Sequence, residues 1–443
     1  MFSTRRQWLK DSTTAAGALA AAALAPFVHA GERARPRIVL RSSWQTVNIG
    51  DIAHTPGVLA LLERHFPEAD VRLWPSSVAD GVREMLLRRF PKLEIVEGQA
   101  AIGRAMTECD FLLHGSGPSL VAAKDVARWV AETGKPFGVF GITWSPSDKS
   151  NQSPGDKLNR SPGDKNTPPP NTTPSLAQPL ELLNQARFAY FRDSVSLEAA
   201  RDARCTAPVL DFGPDGAFAV DLRNDDRAEQ FLKTSQLSPE GYVCCIPRLR
   251  HTPYWKIKPN TKFDEAKHAR NEAMKEHDHA PLRAAIERLV RETDLHVLLC
   301  PEDRSQMAVA RELLFDPLPD AVRKRVVWRE EYWLTDEALS VYRRSRGLFG
   351  LEMHSPIMCV GNGIPALVGR FAEQTSKGFM WRDIGLGDWL FDLDQPNDPP
   401  RIAETLLHLA RDPAAAQAQT ERARELVARR QREMIDTLRR TCA

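Results

Sequence analysis

The order of apolar and amphipathic segments predicts an α/β protein of two Rossmann-like doubly wound domains that face each other across a cleft. Three observations predict it. Short apolar runs alternate with helix-period segments from residue 37 onward, the signature of parallel strands joined by crossover helices. The alternation starts a second time at Tyr242, after a polar interval. The 443 residues, 42% hydrophobic and 27% charged, suffice to bury two cores of ordinary size.

The first thirty residues read as an address rather than as part of either domain. Arg5 and Arg6 are followed by Trp8, Leu9 and Lys10, then by an uncharged Ala-rich stretch from Ser12 to Val28 that ends in Val28-His29-Ala30. Basic, apolar and small-residue regions in that order make a cleavable export signal, here of twin-arginine type, with cleavage expected after Ala30. An uncleaved anchor is the alternative, but the stretch is short and weakly hydrophobic for a span. No later run is long or apolar enough to cross a membrane, so no stable span is expected after cleavage.

Residues 37–40 begin the first strand, a polar turn through Asn48-Ile49-Gly50-Asp51 follows, and Val58, Leu61, Leu62 and Phe66 recur at helical spacing. Strands at 71–74 and 93–96 flank a helix at 82–90, and a strand at 110–114 runs into Gly115-Ser116-Gly117-Pro118. A helix at 120–133 and a strand at 136–142 extend the set. Residues 145–179 are rich in Pro, Ser, Asn and Lys and carry Ser-Pro-Gly-Asp-Lys twice, which reads as a disordered insertion. The first domain resumes with a strand at 188–193 and a helix at 194–203, and spans 37–235 with a hinge near 225–240. Strands at 242–247, 296–300, 326–328, 346–350 and 364–368, with helices at 281–293 and 355–362, define the second domain, 236–400. Residues 401–443 read as long charged C-terminal helices.

Charge and cysteine usage narrow the partners. With 60 Lys and Arg against 58 Asp and Glu, the net charge of +2 gives no electrostatic reason to expect nucleic acid or an anionic membrane. Any anion site must be local. The seven Cys lack the paired short spacings of a structural zinc, and no disulfide framework, metal site or cofactor is expected. The oligomeric state is not legible.

Loops at strand ends carry the candidate chemistry, because parallel strands deliver their loops to the cleft. Asn48 and Asp51 stand in the first such loop as candidates for the acceptor or the cleft, though Asn, Gly and Asp there also suit a turn and a helix cap. His114 is a further candidate for the acceptor or the cleft, and Gly115, Ser116 and Gly117 after it let backbone approach an anion near a helix start. The turn lacks the spacing and acidic partner of a dinucleotide site, so a nicotinamide cofactor is not expected. Glu352 and His354 fall in Gly350-Leu351-Glu352-Met353-His354-Ser355, the densest cluster, followed by Gly363-Ile364-Pro365 and Lys377-Gly378-Phe379. An extension of the strand through 354 would put Glu352 and His354 on one face, with Glu352 raising the imidazole pKa. Arg192, Arg248 and Lys377 are candidate cations for an anionic ligand.

Taken together, Asn48-x-Gly50-Asp51, the glycine turn at 115–117, Arg192-Asp193-x-x-Ser196, Gly350-x-x-x-His354, Gly363-Ile364-Pro365 and Lys377-Gly378-Phe379 resemble the polysaccharide pyruvyl transferase family. The likeness runs from about residue 39 to residue 390. It implies a glycosyltransferase-B-like fold and transfer of a pyruvyl group from phosphoenolpyruvate to glycan hydroxyls as a ketal. His354 is the implied acid, with Glu352 beside it, and Arg192, Arg248 and Lys377 are implied partners of the donor's phosphate and carboxylate. The resemblance implies an Arg two residues before the histidine, where this chain has Glu352. A donor such as a nucleotide sugar, or glycan binding without catalysis, therefore stays open beside pyruvyl transfer.

Overall fold

The computed structural model describes residues 35–42, 44–144 and 177–442. The expected export signal and all but the last three residues of the expected insertion lie outside them. Residues 177–179 belong to the helix Ala177–Gln185, so the insertion reading ran three residues too far.

Seven parallel strands form the first sheet: β1 (Arg37–Arg41), β2 (Asp70–Trp74), β3 (Glu94–Ile95), β4 (Phe111–His114), β5 (Phe137–Ile142), β6 (Ala189–Phe191) and β7 (Leu210–Phe212). Their order is β3-β2-β1-β4-β5-β6-β7. Six more form the second: β8 (Tyr242–Ile246), β9 (His296–Leu299), β10 (Val326–Trp328), β11 (Gly347–Gly350), β12 (Ala366–Arg370) and β13 (Leu390–Asp392), in the order β10-β9-β8-β11-β12-β13. In each sheet the winding reverses once, between β1 and β4 and between β8 and β11. Such a reversal splays the loops that leave the two strands and opens a ligand position between them.

The strands are near-continuous apolar runs because helices cover both faces of a parallel sheet. Ile38, Val39 and Leu40 are all fully buried, and successive side chains enter different cores: Ile38 and Leu40 one, Val39 the other. The first of these cores continues through the second sheet, so both sheets share one apolar body.

Three features depart from the sequence reading. The interval expected as a hinge holds the helix Asp225–Thr234, which packs through Asn224 N donating to Ser340 Oγ at 2.9 Å and Arg344 pairing with Asp225 at 2.7 Å. The C-terminal helix Pro413–Cys442 returns to the first sheet, with Tyr190 and Thr437 hydroxyls 2.8 Å apart and Gln431 donating to the Asp215 carbonyl at 3.1 Å. Strand β11 stops at Gly350, and His354 opens the helix His354–Gly361 instead of extending the strand.

Candidate functional site

The loop after β1 and the loop after β9 meet edge to edge. Ile49 N donates to the Glu302 carbonyl at 2.9 Å and Arg304 N to the Val47 carbonyl at 3.1 Å, with Asn48 and Asp303 forming an antiparallel bridge. Asn48 also caps the helix Ile49–His65, its Oδ1 accepting from Gly50 N at 2.8 Å and Asp51 N at 3.0 Å. Gly50 is required at this seam: a Cβ on it would lie 2.4 Å from the His354 Cβ and 2.6 Å from Glu302 Oε1.

One turn into that helix, His54 faces His354 across the seam, their rings edge to face with centroids 4.7 Å apart. Each imidazole is fixed through Nδ1. His54 Nδ1 donates to Asp215 Oδ1 at 2.7 Å, with Ser116 Oγ at 3.0 Å. His354 Nδ1 lies 3.2 Å from Glu302 Oε1, and the other oxygen of Glu302 accepts from Ser355 N at 2.6 Å. A carboxylate accepts only, so both Nδ1 atoms carry a proton, and in the neutral form of each ring the lone pair is on Nε2. Both Nε2 atoms are buried without a hydrogen-bond partner. Asp51 stands beside them, three residues before His54 on the same helix.

The charges around this pair are mostly committed. Burial alone would push the Asp215 carboxyl up, but His54 and Arg192 together hold it well below the usual range. Arg192, 1% exposed, pairs with Asp215 at 2.7 Å and reaches Thr143 Oγ1 with Nε at 2.7 Å. Arg248 pairs with Glu352, whose second oxygen accepts from Gln306 Nε2 at 2.7 Å. Burial raises the Glu352 pKa while Arg248 opposes the rise. Lys377, half-buried at the end of this group, is lowered to about 8 by burial and by Arg248, and no hydrogen bond or ion pair engages its amine among the described residues.

The structure thus brings together Asn48, Asp51, Ser116, Arg192, Arg248, Glu352, His354 and Lys377, though not always in the expected relation. Glu302, not Glu352, is the carboxylate on His354. The expected rise of the His354 pKa is reversed: burial, with His54 and Lys377 nearby, lowers it well below the usual imidazole range. Gly115 and Gly117 do not cradle an anion, because their amides already donate to the Arg41 and Gly141 carbonyls at 3.1 and 3.4 Å. His114 is turned away: its Nε2 accepts from Ala122 N at 3.4 Å, and burial and then Arg41 lower its pKa to about 4. Strand alternation sets it on the face opposite Leu113.

His54, Asp215, Glu302 and Gln306 were missed by sequence reasoning. His54 follows Asp51 by three residues on a helix read correctly, and Glu302 follows β9 by three residues, so the strand-end rule applied at 300–303 would have found it.

Two doubly wound parallel sheets whose winding reversals meet at one polar site define a glycosyltransferase-B-like α/β protein. Solved structures agree in fold. Anabaena Alr3699/HepE in complex with UDP-glucose aligns with a TM-score of 0.53 at 11% identity over 91% of this chain and 99% of that one. Neisseria meningitidis UDP-GlcNAc 2-epimerase bound to UDP-GlcNAc aligns at 0.52 and 9% over 91% and 100%, and S. aureus MnaA with UDP at 0.52 and 10% over 88% and 91%. No curated protein sequence matches the chain. Residues 48–368 match the polysaccharide pyruvyl transferase family, and the chain belongs to that family.

Proposed function

We propose that this chain transfers a pyruvyl group from phosphoenolpyruvate, or a closely related enol phosphate, to hydroxyls of a glycan at the seam between the two sheets. Family membership supports the reaction class. The observation that carries the site is the convergence of two uncommitted imidazole nitrogens, on His54 and His354, with the uncommitted amine of Lys377. The reaction needs such groups: the enol CH2 carbon gains a proton as one acceptor hydroxyl loses its own and bonds the adjacent carbon, and a second hydroxyl loses a proton as its oxygen replaces the phosphate, which leaves as an anion. Arg192 and Arg248 already face carboxylates, which leaves Lys377 as the cation for the donor. His354 borders the reacting atoms in this reading.

A second reading, transfer from a nucleotide sugar, draws on Glu352, which stands where the family pattern has Arg and neutralises Arg248. The proteins of similar fold solved with UDP or UDP-sugars give that reading its ligand class. Thermal shift separates the alternatives, since a ligand at one hundred times its Kd stabilises by about 2.7 kcal/mol. Stabilisation by phosphoenolpyruvate, lost in His354→Asn while the fold persists, is expected. A response to UDP-sugars alone would replace the first reading with the second, and a response to glycan alone would make the chain a binding protein.

Residues 1–30 are proposed to act as a twin-arginine export signal, supported by the Arg5-Arg6 pair and the small-residue end at Ala30. Mature protein beginning at Gly31 in an extracytoplasmic fraction is the expected outcome. Full-length protein in the cytosol would refute it.

A further inference from the structure

The geometry points to a divalent transition-metal site formed by Asp51, His54 and His354, and we propose that the chain binds one such ion there with an open coordination position. A nitrogen from each imidazole and a carboxylate oxygen of Asp51 lie within 4.8 Å of one another. Metal bonds to His nitrogen and carboxylate oxygen are about 2.0–2.2 Å, so two tetrahedral ligands of one ion sit roughly 3.4 Å apart. Side-chain adjustments of roughly 1.4 Å therefore close the set. Both Nδ1 atoms are taken by Asp215 and Glu302, so the nitrogens left to ligate are the Nε2 atoms. Those are the two buried atoms without a partner.

The arrangement around the set is the one that metal-ligating histidines require. A carboxylate accepting from Nδ1–H fixes the tautomer, orients the ring and raises the basicity of the ligating nitrogen. His54–Asp215 and His354–Glu302 supply that relation twice. Three acceptors converge, and neither Nε2 receives a hydrogen bond from any described residue, Lys377 included. Burying the two imidazole lone pairs unpaired costs free energy, and a cation held between them and the half-buried Asp51 removes the cost. The charge count agrees: Asp51, Asp215 and Glu302 face Arg192 and Lys377, three negative charges against two positive. Two imidazoles and one carboxylate suit zinc or a neighbouring first-row ion more than magnesium or calcium, which take oxygen.

The inference rests on the triad and not on the identity of the donor, but it bears on the donor. With Glu352 neutralising Arg248, the site is short of positive charge for a phosphate and a carboxylate, and a divalent ion supplies it. His354 then acts through the ion rather than as a free acid.

The test uses the mature chain stripped of metal with a chelator and titrated with Co2+ and with Zn2+, following the Co2+ visible spectrum, the bound metal per chain and the melting temperature. One equivalent of Co2+ with a low-coordinate spectrum, displaced by Zn2+, is expected. Asp51→Asn and His354→Gln should each weaken binding at least about 100-fold, and Glu302→Gln, which leaves all three ligands in place, by about 10–100-fold. Should His354→Gln fail to fold, Asp51→Asn, at the more exposed ligand, decides. Binding that is absent, or that is unchanged in Asp51→Asn, overturns the site. Donor binding is read separately: one ion per chain without any response to phosphoenolpyruvate refutes the proposed donor and leaves the metal site standing. Stabilisation by phosphoenolpyruvate in a chain that binds no ion does the reverse.

Discussion

Asp215 accepts from His54, Ser116 and the Ala217 amide with one oxygen and from Arg192 with the other, all without exposure to water. Removing its charge leaves Arg192 buried and unpaired, a loss of about 3–5 kcal/mol. Asp215→Asn should accordingly lower the denaturant midpoint sharply, and a midpoint shift below that of an ordinary surface substitution would show that the pair is not structural. Lys377 permits a pH test. Its amine, lowered to about 8, is charged below that pH and neutral above it. The groups facing it are Arg192, Arg248, Glu302, Glu352 and His354. Affinity for phosphoenolpyruvate should fall as pH rises from 7 to 9, because the phosphate's second ionisation, with pKa about 6, is complete before Lys377 loses its proton. In Lys377→Met the slope should disappear. The sign for the free fold is opposite: charged Lys377 costs stability below about 8, and that cost fades as the pH rises towards its ordinary value. Of the residues in this site, those at strand ends with glycine neighbours were legible in sequence. Asp215 was not, because its meaning depends on His54, which is 161 positions away.

Two helices make the site by starting within contact of each other. The helix Ile49–His65 brings Asp51 and His54 to one side because residues three apart share a face, and the helix His354–Gly361 presents its first residue across the seam. Their closeness is set by Gly50. Gly50→Ala puts a methyl group into the His354 Cβ and should cost about 1–3 kcal/mol as the halves are pushed apart. Activity should fall more than stability, since the imidazole pair separates first. Equal Kd and turnover in the Ala variant would mean that the seam tolerates the displacement. The sequence showed Gly50 in an Asn-x-Gly-Asp turn, and a turn would have explained it; the close approach to a residue 304 positions later is a tertiary fact.

At the scale of the whole molecule, the C-terminal helix Pro413–Cys442 ties the end of the chain to the first sheet, through Tyr190, Asp215 and Phe212. Sequence reading placed this helix after the second domain because chain order carries no information about which sheet a long amphipathic helix covers. Residues 145–179 were read as an insertion from composition alone. Deleting residues 145–176 should leave the melting temperature nearly unchanged, as the two Ser-Pro-Gly-Asp-Lys copies and the proline run offer little apolar surface. A drop of many degrees would mean that the segment packs on the fold.

What the sequence determined by itself is the local and periodic part: which runs become buried strands, where helices follow them, and that strand-end loops at 48–51, 115–117 and 350–355 carry polar groups. Hydrophobic period and glycine placement act over a few residues, so they survive in one dimension. The tertiary structure alone decided the pairings. The loop after β1 meets the loop after β9 along 47–49 and 302–304, Asp215 and Glu302 select the tautomers of His54 and His354, and Glu352 turns from the histidine to Arg248. Such choices depend on which buried charges lie within about 3 Å after folding, where desolvation makes each pairing decisive.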